Sequence, residues 1–513
     1  MMDSLALPIS WWSVSGVLLT ELLYRIPWGR WVAGLLDLLG QLVSALYHEE
    51  LSEDEQEALL RKLALGILGE SFRGAGFMAL MMGGWIALET LGSSLGVGSM
   101  LSWWGGVALT ISSLAYLVIR IRWISRVAPD DQRYDEYSHA PTTQSFYAFA
   151  LDHPAILDFS FNRERKRVMK RGHHVMVDRP VWVCGLARAG TTILTELLYD
   201  TGHFASLTYR DMPFPLAPSL WRALSRWSLQ RDPELRERAH GDGLMIGVDS
   251  PEALEEVFWR TQSPGTYLDP HVLAAYTPSD LSIKRLREYI SCVLESRERR
   301  REDRSSPLRY LSKNNNHLIR LPALIEAFPQ GHFIIPIRHP LEHAESLRRQ
   351  HLRWIDRHKR DPFSRRYMGW LCHYEFGSDH RAFALPICDA QLGACEEYVD
   401  AGSDDTIDLN VIEETHTLTY WLIRWLEAYR WVATLDRSRI FTVDYHALNT
   451  APYQTISALS RALDLDLTPS KIKQMASRLK PVAHVIDTDD VNPNLIRDAE
   501  ALYASFVGTD SMK

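Results

Sequence analysis

Residues 181–202 read VWVCGLARAGTTILTELLYDTG. With the preceding VMVDRP, they begin as a short β-branched run leading into glycine, a pattern typical of a buried strand entering a tight turn. Beyond the turn, apolar residues recur at helical spacing as far as Gly202, where a helix can end. A strand, a glycine-bearing loop and a helix in this order predict an anion site, because free N–H groups and the helix dipole converge on the loop.

The loop is similar to a phosphate-binding P-loop without its lysine. Gly185 and Gly190 stand five positions apart, and Thr191 and Thr192 follow them. A nucleoside triphosphatase would have Lys at the first of these threonines, where it reaches the β- and γ-phosphates. Arg188 is the cation inside this loop. We therefore expect the loop to bind a phosphate group that is not part of a β/γ pair.

A second strand and helix are predicted in HFIIPIRHPLEHAESLRRQH, residues 332–351. Arg338 lies at the end of the strand, and Ser346 lies eight residues later, about two turns into the helix. An arginine in this position can bind a phosphate with its planar guanidinium. Ligands of open α/β sheets bind outside the carboxyl ends of the strands, so a second phosphate site is expected there.

Together the two segments resemble the sulfotransferase family, whose donor is 3′-phosphoadenosine-5′-phosphosulfate (PAPS). The resemblance covers roughly residues 180–350, and VDYHAL at 443–448 is similar to a late strand of the family. It implies an α/β fold with a P-loop-like parallel sheet flanked by helices. His339 departs from the common Asp of the family. The implied donor-binding residues are Gly185, Arg188, Ala189, Gly190, Thr191 and Thr192 for the 5′-phosphosulfate, and Arg338 and Ser346 for the 3′-phosphate.

The resemblance also implies catalytic roles. The family often has an active-site lysine at the position of Lys313, and this lysine or Arg188 would neutralise charge on the leaving phosphate oxygen. A general base must take the proton of the acceptor. The family often places a carboxylate or histidine shortly after the P-loop helix, so Asp211 is the expected base. The alternatives are His203, Glu196 and His317.

The segment HPLEH, residues 339–343, matches the H-x-x-E-H signature of zinc peptidases. Two histidines four residues apart on one helix can bind zinc. Pro340 instead places His339 before the helix or in its first turn, which separates it from the face of His343. We therefore expect no metal site, and the charge of the proposed donor is low enough for loop N–H groups and Arg188 to bind it without a metal.

Composition restricts the class of protein. The chain has 513 residues, 46% of them apolar and 23% charged, which is an ordinary globular balance. A net charge of −8 argues against a general nucleic-acid binder. Five scattered cysteines without a C-x-x-C pair favour a reducing compartment.

The N-terminal region is typical of a membrane protein. Between Arg73 and Arg120 the only charged residue is Glu89. Two apolar segments, residues 75–95 and 103–122, each have about the 20 residues that a membrane-spanning helix needs. They predict a transmembrane hairpin, with a buried hairpin in a soluble protein as the alternative. Arginines flank both outer ends, so the positive-inside rule places the N-terminus and the large domain in the cytoplasm.

The predicted organisation has three parts. Residues 1–50 are expected to form amphipathic helices on the membrane, with a third span within residues 8–47 left open. Residues 51–128 contain the hairpin, and residues 129–513 form a cytosolic domain with a possible insertion at about 380–412. The expected protein is an inner-membrane sulfotransferase that acts on a hydroxyl or amine of a small-molecule, lipid or lipid-linked acceptor. A non-catalytic nucleotide-binding membrane scaffold and a P-loop kinase are the alternatives.

Overall fold

The structure is a computed structural model with two compact units, Met1–Ile156 and Leu157–Lys513. It describes residues 3–25, 28–46, 53–95, 97, 102, 107–113, 115–116, 141–170, 177–225, 236–237, 245–299, 306–386, 414–479, 486, 488 and 491–507. The acidic tract at 387–410, part of the predicted insertion, lies outside these residues.

The first unit is helical where it is described. Its helices are α1 (Asp3–Arg25), α2 (Trp28–Leu46), α3 (Glu53–Ser94) and α4 (Pro141–Leu151). Glycines let α2 approach α3 closely: a Cβ atom on Gly74 would come within 2.3 Å of the Trp31 ring. The Trp31 indole also donates a hydrogen bond to the carbonyl oxygen of Glu70, at 2.6 Å.

Among the described residues, α3 is the one helix that is long and apolar enough to cross a membrane. Within the stretch Ala58–Ser94 the most apolar window of 18 residues has a mean hydropathy of 1.3, and only 6% of this window is buried. Its exposed large side chains include Phe72, Met78, Met82 and Ile86. The first predicted span, residues 75–95, falls at the end of this helix, which begins well before the expected start. The second predicted span, residues 103–122, lies mostly outside the described residues.

The second unit contains a parallel sheet. The described strands of the chain are β1 (Val181–Val183), β2 (Phe204–Ala205), β3 (Arg236–Glu237), β4 (Met245–Ile246), β5 (Val272–Ala274), β6 (Arg309–Lys313), β7 (His332–Ile337), β8 (Ala382–Ala384) and β9 (Ile440–Asp444). Five of them form the main sheet in the order β2-β6-β1-β7-β9, with all pairs parallel. The predicted α/β fold with a parallel sheet is confirmed.

Helices flank this sheet. They are α5 (Pro154–Lys170), α6 (Thr191–Tyr199), α7 (Pro218–Ser225), α8 (Glu256–Gln262), α9 (Asp280–Glu298), α10 (Leu321–Ala327), α11 (Pro340–Arg360), α12 (Pro362–Trp370), α13 (Leu418–Thr434), α14 (Tyr445–Thr450), α15 (Pro452–Ala462), α16 (Pro469–Ala476) and α17 (Pro493–Val507). The apolar face of α6, with Leu194 and Leu197, packs on Val181, Ile334 and Val443 of the sheet.

The register of the sheet places the site. Val183, the last residue of the central strand β1, pairs with Lys313 on one side and with Ile334 on the other. The loop after β1 therefore begins beside the carboxyl end of β6. The crevice outside the carboxyl ends of such strands is where open α/β sheets bind ligands.

Candidate functional site

The loop between β1 and α6 has a backbone that requires glycine. Gly185 has a φ of 128° and Gly190 a φ of 99°, both in the region that favours glycine. At Gly190 a Cβ atom would also come within 2.7 Å of the Tyr445 ring. Arg188 adopts a φ of 67°, which is uncommon for a residue with a side chain. Such conformations persist where the surrounding structure holds them.

Helix α6 begins directly at this loop. Gly190 is its N-cap residue and provides no side chain to cap the first N–H groups. Thr191 and Thr192 form the first turn and are buried. Uncapped N–H groups and the positive end of the helix dipole favour an anion at this position. The predicted strand, loop and helix are therefore present in the predicted order.

The Arg338–Ser346 segment meets the loop. Arg338 follows β7, and Ser346 lies on α11; both are 6% exposed. The Arg188 side chain donates a hydrogen bond to the Ser346 hydroxyl, with Nε 3.4 Å from Oγ. The structure thus brings together the loop and the Arg338–Ser346 segment, which are far apart in sequence.

Arg338 has two partners in this structure. Its guanidinium lies 3.3 Å from the Glu342 carboxylate, one turn along α11. The same guanidinium stands over the Tyr445 ring, 5.0 Å from its centroid. Tyr445 therefore contacts both the Arg338–Ser346 segment and the loop, because it also packs on Gly190.

His339 and His343 do not form a zinc site. The His343 ring is buried and bonds to the Ala187 carbonyl oxygen at 2.7 Å. Burial lowers the pKa of His343 to about 3, so the ring is neutral and its N–H donates to that carbonyl. His339 precedes α11, as predicted from Pro340, and packs edge-on against Tyr503. Among the described residues, no group of three or more His, Cys, Asp or Glu could hold a metal ion.

Lys313 stands at the carboxyl end of β6, next to the start of the loop. Its side chain is 10% exposed, and its ammonium nitrogen lies 3.9 Å from the Glu252 carboxylate. The Tyr209 hydroxyl donates a hydrogen bond to the other oxygen of this carboxylate, at 2.6 Å. An ammonium group, a carboxylate and a phenol therefore meet beside the loop.

Asp211 is not placed to act as the expected base. It is fully buried and bonds to Arg222 at 2.9 Å and to Arg297 at 2.5 Å. It also accepts the backbone N–H of Thr208, which completes a capping box. Burial would raise its pKa, but the two arginines outweigh burial and keep the pKa below its usual range. A carboxylate with both oxygens occupied by arginines has a structural role and cannot readily accept a proton.

The structure also places the three alternative bases. The Glu196 carboxylate is buried and paired with Arg478 at 3.0 Å. His317 is fully buried, 3.1 Å from Glu255, with its ring between tryptophans. His203 lies at the start of β2, and its carbonyl oxygen pairs with the N–H of Arg309.

Glu252 was not predicted from the sequence. It belongs to a run of three glutamates in DSPEALEE, residues 249–256. Its neighbour Glu255 bonds to Trp182, Trp259 and Tyr310 in the core, and Glu256 forms a bidentate pair with Arg320. The sequence spacing of these three glutamates does not show which of them could have a catalytic role. Only their contacts in the structure distinguish Glu252 from Glu255 and Glu256.

An apolar pocket adjoins the loop. It is partly open to solvent. Arg424 and Glu427, which form an ion pair at 2.9 Å, lie among its polar residues. Its apolar lining includes Leu186, Ala187, Leu347, Phe383, Trp421 and Ala428.

A family model matches the part of the chain that contains the loop, Lys313 and the Arg338–Ser346 segment. The match covers residues 180–382, and the model is that of the sulfotransferase family. Similar solved structures include sulfotransferase STF1 from Mycobacterium tuberculosis, with 16% identity, a TM-score of 0.38, and coverage of 73% of this chain and 93% of that one. Sulfotransferase STF9 from Mycobacterium avium has 15% identity, a TM-score of 0.35, and coverage of 75% and 93%. No curated protein sequence gave a significant match.

Proposed function

The chain belongs to the sulfotransferase family and is a transferase, and from this premise we propose that it transfers a sulfonate group from PAPS to a hydroxyl or amine of a membrane-associated acceptor. The observation that carries the proposal is the meeting of two phosphate motifs at the carboxyl edge of the sheet. Arg188 and Ser346 are 3.4 Å apart across these motifs. Two separate anion sites suit a donor with a 5′-phosphosulfate and a distinct 3′-phosphate.

The loop supplies the first anion site. We assign the 5′-phosphosulfate to the N–H groups at the start of α6, Thr191, Thr192 and Arg188, with Gly185, Ala189 and Gly190 shaping the backbone. Arg338 and Ser346 supply the second site, for the 3′-phosphate. The loop has no lysine for a β/γ pair, which disfavours ATP as the natural ligand. These features support PAPS as the donor and require no metal ion.

Lys313 and Arg188 are the candidate stabilisers of the leaving group. Sulfonate transfer needs in-line positioning and neutralisation of the charge that develops on the phosphate oxygen. Arg188 is inside the loop, and Lys313 is at the end of the adjacent strand. A positive charge therefore stands on each side of the position proposed for the phosphosulfate.

Two features support a lipid or lipid-linked acceptor. The exposed apolar surface of α3 suits a hydrocarbon environment, which agrees with a membrane anchor. The pocket beside the loop is largely apolar and would suit the hydrocarbon part of an acceptor. We propose that the enzyme is held in the inner membrane with its second unit in the cytoplasm. No nucleic-acid partner is proposed.

Calorimetric titration of the full-length chain in detergent tests the donor. We expect 3′,5′-ADP, the product of PAPS, to bind more tightly than ATP, with or without Mg²⁺. Tighter binding of Mg·ATP would overturn the proposal in favour of a kinase. Binding of 3′,5′-ADP without transfer of sulfonate from radiolabelled PAPS would leave the non-catalytic scaffold.

Lipidomics tests the class of acceptor. Lipid extracts from cells with and without the gene are compared for sulfated species. We expect at least one sulfated lipid to disappear with the gene and to return with the wild-type copy. Loss of a sulfated compound from the water-soluble fraction alone would contradict a membrane-associated acceptor.

A further inference from the structure

We propose that Glu252 is the general base of the transfer and that Tyr209 positions its carboxylate. This inference rests on the proposed sulfonate transfer. It replaces Asp211, whose ion pairs exclude that residue from the role, with a carboxylate beside the loop.

Position is the first support. The carboxylate of Glu252 lies 3.9 Å from Lys313, whose Cα position is paired with the last residue of β1. It is thus close to where the sulfur of a donor in the loop would lie. A backbone bridge fixes this arrangement, because Thr208 pairs with Pro251 and the N–H of Glu252 bonds to Leu207.

The surroundings of the nearby carboxylates are the second support. Asp211 faces two arginines, and Glu256 forms a bidentate pair with Arg320 at 2.6 and 2.9 Å. Glu255 bonds to buried tryptophan and tyrosine side chains. Glu252 instead faces no arginine in these contacts: one oxygen is bonded to the Tyr209 hydroxyl, the carboxylate also accepts the backbone N–H of Ala253, and the second oxygen lies 3.9 Å from the Lys313 ammonium, beyond hydrogen-bond distance. That second oxygen can accept a proton.

The carboxylate of Glu252 is ionised, which a general base requires before it can accept a proton. Burial alone would raise the pKa of Glu252, but the positive charges of Lys313 and His373 and the hydrogen bond from Tyr209 outweigh burial and hold it at about 2. The carboxylate is therefore ionised throughout the neutral range. When Lys313 turns toward the leaving phosphate oxygen, its hold on Glu252 weakens and the pKa rises, which makes the carboxylate a stronger base.

Proton transfer to Glu252 accompanies bond formation at sulfur. The acceptor oxygen or nitrogen gives its proton to the Glu252 oxygen that faces Lys313 and forms a bond to sulfur. The bond between sulfur and the phosphate oxygen breaks, and its electron pair stays on that oxygen, where Lys313 neutralises the charge. The proton on Glu252 then passes to water, and no oxidant or metal is needed.

The test uses Glu252→Gln in the full-length chain, with the exposed Asp249→Asn as a matched control from the same segment. Turnover is measured as the transfer of radiolabelled sulfonate from PAPS to a membrane-lipid extract or to water. The assay therefore requires no known acceptor. We expect Glu252→Gln to lose about 10²–10⁴-fold in turnover, the usual contribution of a general base. Its affinity for 3′,5′-ADP should match that of wild type, its melting temperature should fall because the buried pair with Lys313 is lost, and Asp249→Asn should be unchanged throughout.

The dependence of turnover on pH separates catalysis from packing. Tyr209→Phe removes a hydrogen bond that favours the charged carboxylate, so the pKa of Glu252 rises. The acid limb of the pH–rate profile should move to higher pH, and Glu252→Asp should recover part of the activity that Glu252→Gln loses. Because Tyr209→Phe and Glu252→Asp both keep a carboxylate at position 252, this measurement still tests the proposal if Glu252→Gln does not fold.

The possible failures are distinct. Wild-type turnover in Glu252→Gln, or an acid limb that stays in place in Tyr209→Phe, overturns the assignment of Glu252 and leaves the proposed function standing. Joint loss of 3′,5′-ADP binding and turnover in a folded Glu252→Gln makes Glu252 part of the donor site and also overturns the assignment. A wild-type chain that binds no 3′,5′-ADP or transfers no sulfonate overturns the proposed function itself.

Discussion

Replacing Arg338 with alanine should weaken donor binding through one phosphate only. The Arg338 side chain is 7% exposed, so its contacts are little weakened by solvent. Truncating one partner of a buried charged pair costs about 2–5 kcal/mol. Since about 1.4 kcal/mol corresponds to a factor of ten, 3′,5′-ADP should bind roughly 30-fold to several thousand-fold more weakly. The fold should persist, because the carboxylate left behind, that of Glu342, is 32% exposed and can be hydrated.

The assay compares 3′,5′-ADP with 5′-AMP, which lacks the 3′-phosphate, by calorimetric titration. Wild type should prefer 3′,5′-ADP strongly, and Arg338→Ala should lose this preference while its affinity for 5′-AMP stays the same. Arg338→Lys keeps the charge but not the planar guanidinium. Its preference for 3′,5′-ADP over 5′-AMP should therefore lie between those of wild type and Arg338→Ala. Glu342→Gln should bind 3′,5′-ADP more tightly than wild type, because the carboxylate no longer competes for Arg338. An Arg338→Ala chain that keeps the wild-type preference would refute the assignment of the 3′-phosphate site.

Four further outcomes are expected. Gly190→Ala should abolish 3′,5′-ADP binding and lower the melting temperature, because a φ of 99° costs a side-chain-bearing residue about 1–3 kcal/mol and the Cβ atom would also clash. Lys313→Ala should lose about 10²–10³-fold in turnover with donor affinity retained; joint loss would make it a donor ligand. Asp211→Asn should destabilise the fold by about 3–5 kcal/mol in chemical denaturation, since it breaks a buried ion pair; a stable but inactive variant would return the base to Asp211. Single cysteines at Ser94 and Ser145 should label from opposite sides of the membrane, and labelling from one side would rule out the hairpin.

The strands, loop and helices that carry the expected phosphate contacts could be predicted because each is local in sequence. The turn at Gly185 and Gly190, the threonines after it and the helix that follows lie within one short segment. Strand, loop and helix signals in that segment agree with one another, which is the condition under which a sequence reliably specifies its structure. The strand-end position of Arg338 follows from the same kind of local pattern.

The base could not be predicted because its surroundings are set by distant residues. Asp211 is occupied by Arg222 and Arg297, which lie 11 and 86 residues away. Glu252 reaches the loop through a backbone bridge and receives its hydrogen bond from Tyr209, 43 residues away. Such contacts have no periodicity or spacing that a single sequence displays. Only the packed structure separates the three glutamates of one short segment.

The membrane region shows a different limit. Low charge predicted apolar spans, and the structure has one described helix of the required length and composition. It did not predict where the helix begins, because the residues from Glu53 onward contain no proline or capping signal that would separate a polar first half from an apolar second half. The hairpin itself stays a prediction.

Helix α11 explains how a loop without a lysine can keep its shape. Arg188 holds an uncommon φ of 67°, and its side chain is bonded to Ser346 of this helix. The preceding residue, Ala187, has its carbonyl oxygen bonded to His343 of the same helix. The ring nitrogen that donates this bond carries its hydrogen in both the neutral and the protonated imidazole, so the bond persists at any ordinary pH. The helix that follows Arg338 therefore also fixes the backbone around Arg188, so a ligand that orders one phosphate site should order the other.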